Sequence, residues 1–209
     1  MRRWLLAGAL AAETLPVVRR LEQGRVMGPR LVAGRLGGEH VAVLTCGVGP
    51  AKAAERGRET LAEWPATHLV SFGTCGALVD DLPVGALVSA CALRVLDRWE
   101  TLGVVPGATP VSLVTVSEPV TTPERRAELF ALGAQVCEME ASAIRALDAG
   151  LPFVALKVVS DAAGGDEDED LGSQNPMEIL RFHALAAKLV DSELAPALEA
   201  FLCAYSSRE

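Results

Sequence analysis

His68-Leu69-Val70-Ser71-Phe72-Gly73-Thr74-Cys75-Gly76 is an apolar run that stops at a glycine turn. It is short and bounded by turn residues, which predicts a buried strand over His68 to Phe72. Upstream, Gly47-Val48-Gly49-Pro50 stops an apolar strand (Val41 to Cys46) and opens a helix to about Trp64, with proline in the first turn. That helix carries Ala51, Ala53 and Ala54, small residues that let it lie close on a sheet. Further upstream, Trp4 to Leu10 reads as a strand and Ala12 to Leu21 as a helix. Arg30 to Leu36 forms a hairpin with Val41 to Cys46 across Gly37-Gly38.

Downstream, strands are predicted at Val84 to Val95 and Val111 to Val116. Thr122-Pro123-Glu124 opens a helix to about Leu132: a threonine cap, a proline and an acid in the first turn. Ala134 to Cys137 passes directly into a helix over Met139 to Ala149. Phe153 to Val159 is the last strand, and a long helix from about Asn175 to Cys203 is bent near Pro196. Strands alternate with helices, so the class is α/β around one core. A chain of 209 residues, half of them hydrophobic, suits a single domain over 1–209.

Composition excludes several functions. The formal charge is −8, from 19 Lys and Arg against 27 Asp and Glu, which argues against a nucleic-acid partner. No apolar run approaches the ~20 residues of a membrane span. Met1 to Leu6 resembles the start of an export signal, but Glu13 and Arg19-Arg20 make the stretch a better first strand and helix. The five cysteines, Cys46, Cys75, Cys91, Cys137 and Cys203, are odd in number and scattered. They suggest neither a disulfide framework nor a zinc site, but buried reduced thiols in a cytoplasmic protein. The acidic segment Asp166 to Asp170 reads as a solvated loop; neither it nor any other segment predicts a metal or cofactor. His40, His68 and His183 read as structural or surface residues.

Three acids lie where strands stop. Glu13 follows the first strand, Glu140 the strand ending at Cys137, and Asp161 the last strand. Ligands of α/β sheets gather beyond the carboxyl ends of strands, so the three can share one pocket. Singly, each also reads as a helix-terminus acid or a cap.

The strings around the acids resemble those of the methylthioadenosine/S-adenosylhomocysteine nucleosidases, within the superfamily of nucleosidases and purine nucleoside phosphorylases. They are Gly8 to Glu13, Cys46 to Ala54, Gly73 to Leu78 with Leu82 to Gly85, Glu138 to Ile144, and Pro152 to Asp161. Their order along the chain is the family's. The resemblance implies a three-layer α/β/α fold with a mixed, twisted central sheet, a small nucleoside substrate and a homo-oligomer, commonly a dimer. It implies roles for residues as well. Asp161 protonates the leaving base and Ser160 orients it. Glu140 binds the ribose hydroxyls and opposes the sugar cation, with Met139 beneath the sugar. Glu13 activates the attacking water, and Thr74, Cys75 and Gly76 line the base and ribose pocket. Cys75 as a nucleophile is the alternative for that thiol, but no histidine motif supports it.

Related phosphorylases carry an arginine where this chain has Ser71, and a phosphate-binding glycine and arginine where it has Glu13. Phosphate needs charged donors and water needs a base, so the residues favour hydrolysis. The family's adenine-stacking phenylalanine falls near Pro119-Val120, where Val120 would meet the base instead. The segment Asp97 to Thr109 is short where the family often has a loop closing the 5′ end of the pocket. Cleavage of futalosine or adenosylhopane, phosphorolysis, and binding of a nucleoside without turnover are the alternatives.

Overall fold

Strand β1 (Arg3–Gly8) turns Leu5 and Ala7 to one face of a sheet and Trp4 and Leu6 to the other, and all four are buried. A strand buried on both faces belongs in the middle of a layered structure. The computed structural model describes residues 2–162 and 175–207. After β1 come α1 (Ala11–Val18), β2 (Glu22–Gly28), β3 (Leu31–Leu36), β4 (Glu39–Thr45) and α2 (Pro50–Glu63). Then follow β5 (His68–Ala77), β6 (Leu87–Val95), β7 (Arg98–Thr101), β8 (Thr109–Thr115), α3 (Pro123–Ala131), β9 (Val136–Glu138) and α4 (Ala141–Arg145). β10 (Phe153–Asp161), α5 (Pro176–Leu189) and α6 (Ala195–Ser206) complete the order.

One mixed sheet runs β2-β3-β4-β1-β5, and β5 then pairs on with both β10 and β9. Because β10 pairs β6, β6 pairs β8 and β8 pairs β9, the far half of the sheet closes on itself. Leu5, Ala7, Ala53 and Ile144 share a core cluster on the face covered by α2 and α4. Trp4, Leu6, Val17, Leu189 and Leu198 share the opposite one, beneath α1, α5 and α6. The expected α/β/α layering is therefore present.

The opening for a site lies along β5. β1 pairs it from His68 to Ser71, and β9 pairs it only at Gly76 and Ala77. Residues 72–75 have neither strand on that side, so a cleft forms where the sheet divides.

Several expected boundaries shift. The first helix stops at Val18 and β6 starts at Leu87. α4 covers only residues 141–145, inside the predicted 139–149. Strands β2 and β7 escape the apolar pattern: β2 is an exposed edge strand with only Val26 and Met27 apolar beside its polar residues and glycines, and β7 is four residues long. The C-terminal helix divides into α5, a π-helical turn at Val190–Leu194, and α6. Pro196 lacks the N–H that would bond back to Ser192, which accounts for the wider turn ahead of it. The acidic segment Asp166 to Asp170 lies outside the described residues.

Candidate active site

Glu13 sits in the first turn of α1, and its carboxylate is held on all sides. Oε2 accepts the main-chain N–H groups of Ala9 (3.1 Å) and Leu10 (3.0 Å). Oε1 accepts the N–H (2.7 Å) and the hydroxyl (2.8 Å) of Thr74. The bonds to Ala9 and Leu10 serve orphan donors at the helix start, so the fold has a local reason to place an acid here. The other two tie α1 to β5. Gly73, at φ +137°, leaves room: a Cβ there would lie 2.6 Å from Glu13 Oε1.

Glu140 precedes α4, and its Oε1 accepts the N–H of Gly49 at 2.8 Å. Burial first, then the neighbouring Glu138, pushes its carboxyl up to about 8, against the opposing pull of Lys157 and the Gly49 bond. Glu138 itself is a structural hub. It accepts from the N–H groups of Glu140 and Ala141, from the Thr115 hydroxyl at 2.6 Å, and from Lys157 Nζ at 2.9 Å. Lys157 also donates to Ser71 Oγ at 3.0 Å. The side chains of the Lys157–Glu138 pair are both 2% exposed. Burial opposes the lysine's charge, but Glu138, Glu140 and Glu13 outweigh it and hold the ammonium protonated. A single buried ammonium thus stands among three acids, Glu138, Glu140 and Glu13.

Asp161 ends β10. The pairing of β10 with β5 steps from Val159↔Cys75 to Asp161↔Gly76, so Ser160 is the extra residue of a bulge. A bulge bends the strand and re-aims its next side chain. Ser160 Oγ donates either to Asp161 Oδ1 (3.0 Å) or to the carbonyl of Cys75 (3.3 Å). Gly76 is the seat of this carboxylate, since a Cβ there would lie 2.6 Å from Asp161 Oδ2. The glycines of the β5 turn therefore make room for the two acids, a more specific reason than the close approach to ligand that sequence suggests.

All three acids line one cavity of about 220 Å³, together with Thr74, Cys75, Gly76, Val120, Met139 and Ser160. Every residue singled out from sequence for the site is thus on its wall. Burial pushes the Cys75 thiol well above its ordinary range, which suits a wall residue and not a nucleophile. No lysine or arginine is among the described residues that line the cavity. Segment 97–109 does not reach it; Thr101 to Val104 border a separate groove with Trp4 and Tyr205.

Sequence reasoning missed the contribution of α5. Glu178, Ile179, Phe182 and His183 line the cavity, and His183 is therefore not merely a surface residue. An aromatic seven residues beyond the Asn175 cap was the available signal, but nothing local links α5 to the other walls. His68 stacks on Trp4 at 4.2 Å and His40 lies beside Arg35, both elsewhere. The thiol expectation also needs correction: Cys203 is exposed on the last turns of α6 and Cys91 is half-buried, while the other three are buried and all five are free.

A family model described as the Phosphorylase superfamily matches residues 5–99. Among curated proteins, the chain is 23% identical to a 5′-methylthioadenosine/S-adenosylhomocysteine nucleosidase of Shewanella frigidimarina, over 80% of this chain and 90% of that protein. Among solved structures it is similar to an S-adenosylhomocysteine nucleosidase from Streptococcus pyogenes in complex with 5-methylthiotubericidin. That likeness has a TM-score of 0.78 at 18% identity and covers 97% of each chain. The futalosine hydrolase of Helicobacter pylori superposes with a TM-score of 0.75 at 16% identity, over 96% of this chain and 97% of that one. The resemblance carried by the motif strings is borne out, and so is the fold it implies.

Proposed function

We infer that this chain is a nucleosidase of the phosphorylase superfamily, hydrolysing the N-glycosidic bond of a purine-type nucleoside such as 5′-methylthioadenosine or S-adenosylhomocysteine. The observation that carries the reading is the meeting of Glu13, Glu140 and Asp161 on one cavity. Breaking a ribosidic bond builds positive charge on the sugar and negative charge on the base. Asp161 gives the base its proton as the bond opens. Glu140 accepts the ribose hydroxyls and, as a carboxylate, opposes the sugar cation. Its raised pKa keeps a proton on it in the empty site, and the developing cation favours release of that proton to solvent. Met139 packs beneath the sugar.

Glu13 takes a proton from water. A carboxylate offers about four acceptor positions, and Glu13 already accepts four bonds. Of these, only the Thr74 hydroxyl can rotate away. We assign that bond as the one a water replaces, leaving Thr74 Oγ to fix the water in turn. The absence of a lysine or arginine among the described lining residues supports water over phosphate as the acceptor.

Phe182 supports a stacked purine. It offers from α5 the aromatic face that Pro119 and Val120 do not. Exposed Met177, Ile179 and Leu180 beside it support assembly of the chain with a second copy. Its free thiols suit a reducing cytoplasm.

The test is incubation with methylthioadenosine, S-adenosylhomocysteine and futalosine, with and without phosphate, following the free base and the sugar product. Release of base and free sugar without phosphate is expected. Strict dependence on phosphate, with a sugar 1-phosphate as product, would overturn hydrolysis. Tight binding without turnover would make the chain a nucleoside binder.

A further inference from the structure

Helix α3 sends one side chain back to the site. Arg126 lies in its first turn, behind Pro123 and the Thr122 cap, whose hydroxyl accepts the Arg125 N–H at 3.2 Å. Its guanidinium reaches the end of β10. Nη2 lies 3.5 Å from Asp161 Oδ2, and Nη1 donates to the carbonyl of Ala162 at 2.8 Å. Both partners are largely sheltered, with 24% and 14% of their side-chain surface exposed. Opposite-charge attraction is therefore screened less than on an open surface.

This contact has a consequence for a proton donor. A guanidinium beside a carboxylate favours its ionised form, whereas the proposed reaction needs Asp161 to carry a proton. Other described groups also stand near Asp161. Among them are the thiols of Cys75 on β5 and Cys137 on β9, Glu178 and His183 on α5, and Glu138 and Glu140 across the cavity. Lys157, on the same strand, is turned to Glu138 and Ser71.

We propose that Arg126 is a positioning residue that acts through Asp161, holding its carboxylate aimed and ionised in the empty site and yielding when a base enters. The proposal rests on the reading of Asp161 as the acid. On binding, Asp161 takes a proton from solvent. As the N-glycosidic bond breaks, its O–H bond breaks and an N–H bond forms on the base. Water adds hydroxide to the sugar and leaves its proton on Glu13. Arg126 stays charged throughout and pairs again with the carboxylate when the neutral base departs.

Two measurements test this. The first is the pH dependence of kcat/KM for wild type, Arg126→Gln and Arg126→Lys. Loss of the guanidinium should move the high-pH limb upward by about one pH unit or more, and lysine should restore it toward wild type. The second is the carboxyl ¹³C titration of Asp161 in the free protein, identified by its loss in Asp161→Asn. Arg126→Gln should shift that titration upward, with the melting temperature as a control for folding. An unmoved titration and an unmoved limb, even with lower kcat, would overturn the proposal. If wild type cleaves no nucleoside, the nucleosidase reading fails, while the carboxyl titration still decides whether Arg126 controls Asp161.

Discussion

At Gly73 and Gly76 even a methyl group would meet a carboxylate, Glu13 at the first and Asp161 at the second. Gly73 adds a backbone reason, its φ of +137°. Alanine at either position should displace its acid by a fraction of an ångström or more, and a misplacement near 1 Å costs about 100-fold in rate. We expect Gly73→Ala and Gly76→Ala each to lose activity on that order while circular dichroism still reports a folded chain; full activity in both would mean that the acids tolerate displacement. Glu140 makes a different prediction. Its carboxyl is raised from an ordinary 4.5 to about 8 by burial and Glu138. The folded chain thus keeps a proton that the unfolded chain gives up above pH 4.5. The resulting stability is full below that pH and is lost as pH rises through 8. Glu140→Gln should therefore be more stable than wild type at about pH 8, by on the order of a few kcal/mol, and equal to it near pH 4. Melting curves across this range check it, and a variant less stable at the higher pH would contradict it. The three acids were legible because each follows a strand that sequence alone could place. The Lys157–Glu138 pair was not, because its partners stand on strands 19 positions apart and meet only through sheet register.

At the scale of elements, α5 decides one wall of the cavity. Its approach depends on the chain's return after β10, which no local pattern encodes. The helix itself was expected from about Asn175, and the structure shows the asparagine side chain accepting the Met177 N–H at 3.0 Å. Phe182→Ala should raise KM about tenfold, equivalent to about 1.4 kcal/mol, with kcat little changed, because stacking holds substrate and transition state alike. Steady-state kinetics on methylthioadenosine check this; an unchanged KM would remove Phe182 from the base pocket. The edge strand β2 shows the converse limit of sequence patterns. Glu22 to Gly28 has no buried face to impose alternation, so its only signature is pairing with β3.

Across the whole molecule, the alternation of strands and helices identified the α/β class but not how the sheet would close. Closure depends on β5, which changes partner from β1 to β9 midway and so opens the cleft at residues 72–75. Each acid arrives there from a different element: Glu13 from α1, Glu140 from the turn into α4, and Asp161 from the bulged end of β10. Among the described residues, no helix is long and apolar enough to cross a membrane. The central claim is that these three carboxyl groups, gathered by one division of the sheet, cleave a nucleoside with water. The direct measurement is base release from methylthioadenosine in phosphate-free buffer, comparing wild type with Glu13→Gln, Glu140→Gln and Asp161→Asn. Wild type should release free base and free sugar, and each variant should release base at least about 100-fold more slowly. Undiminished release from all three variants would contradict it.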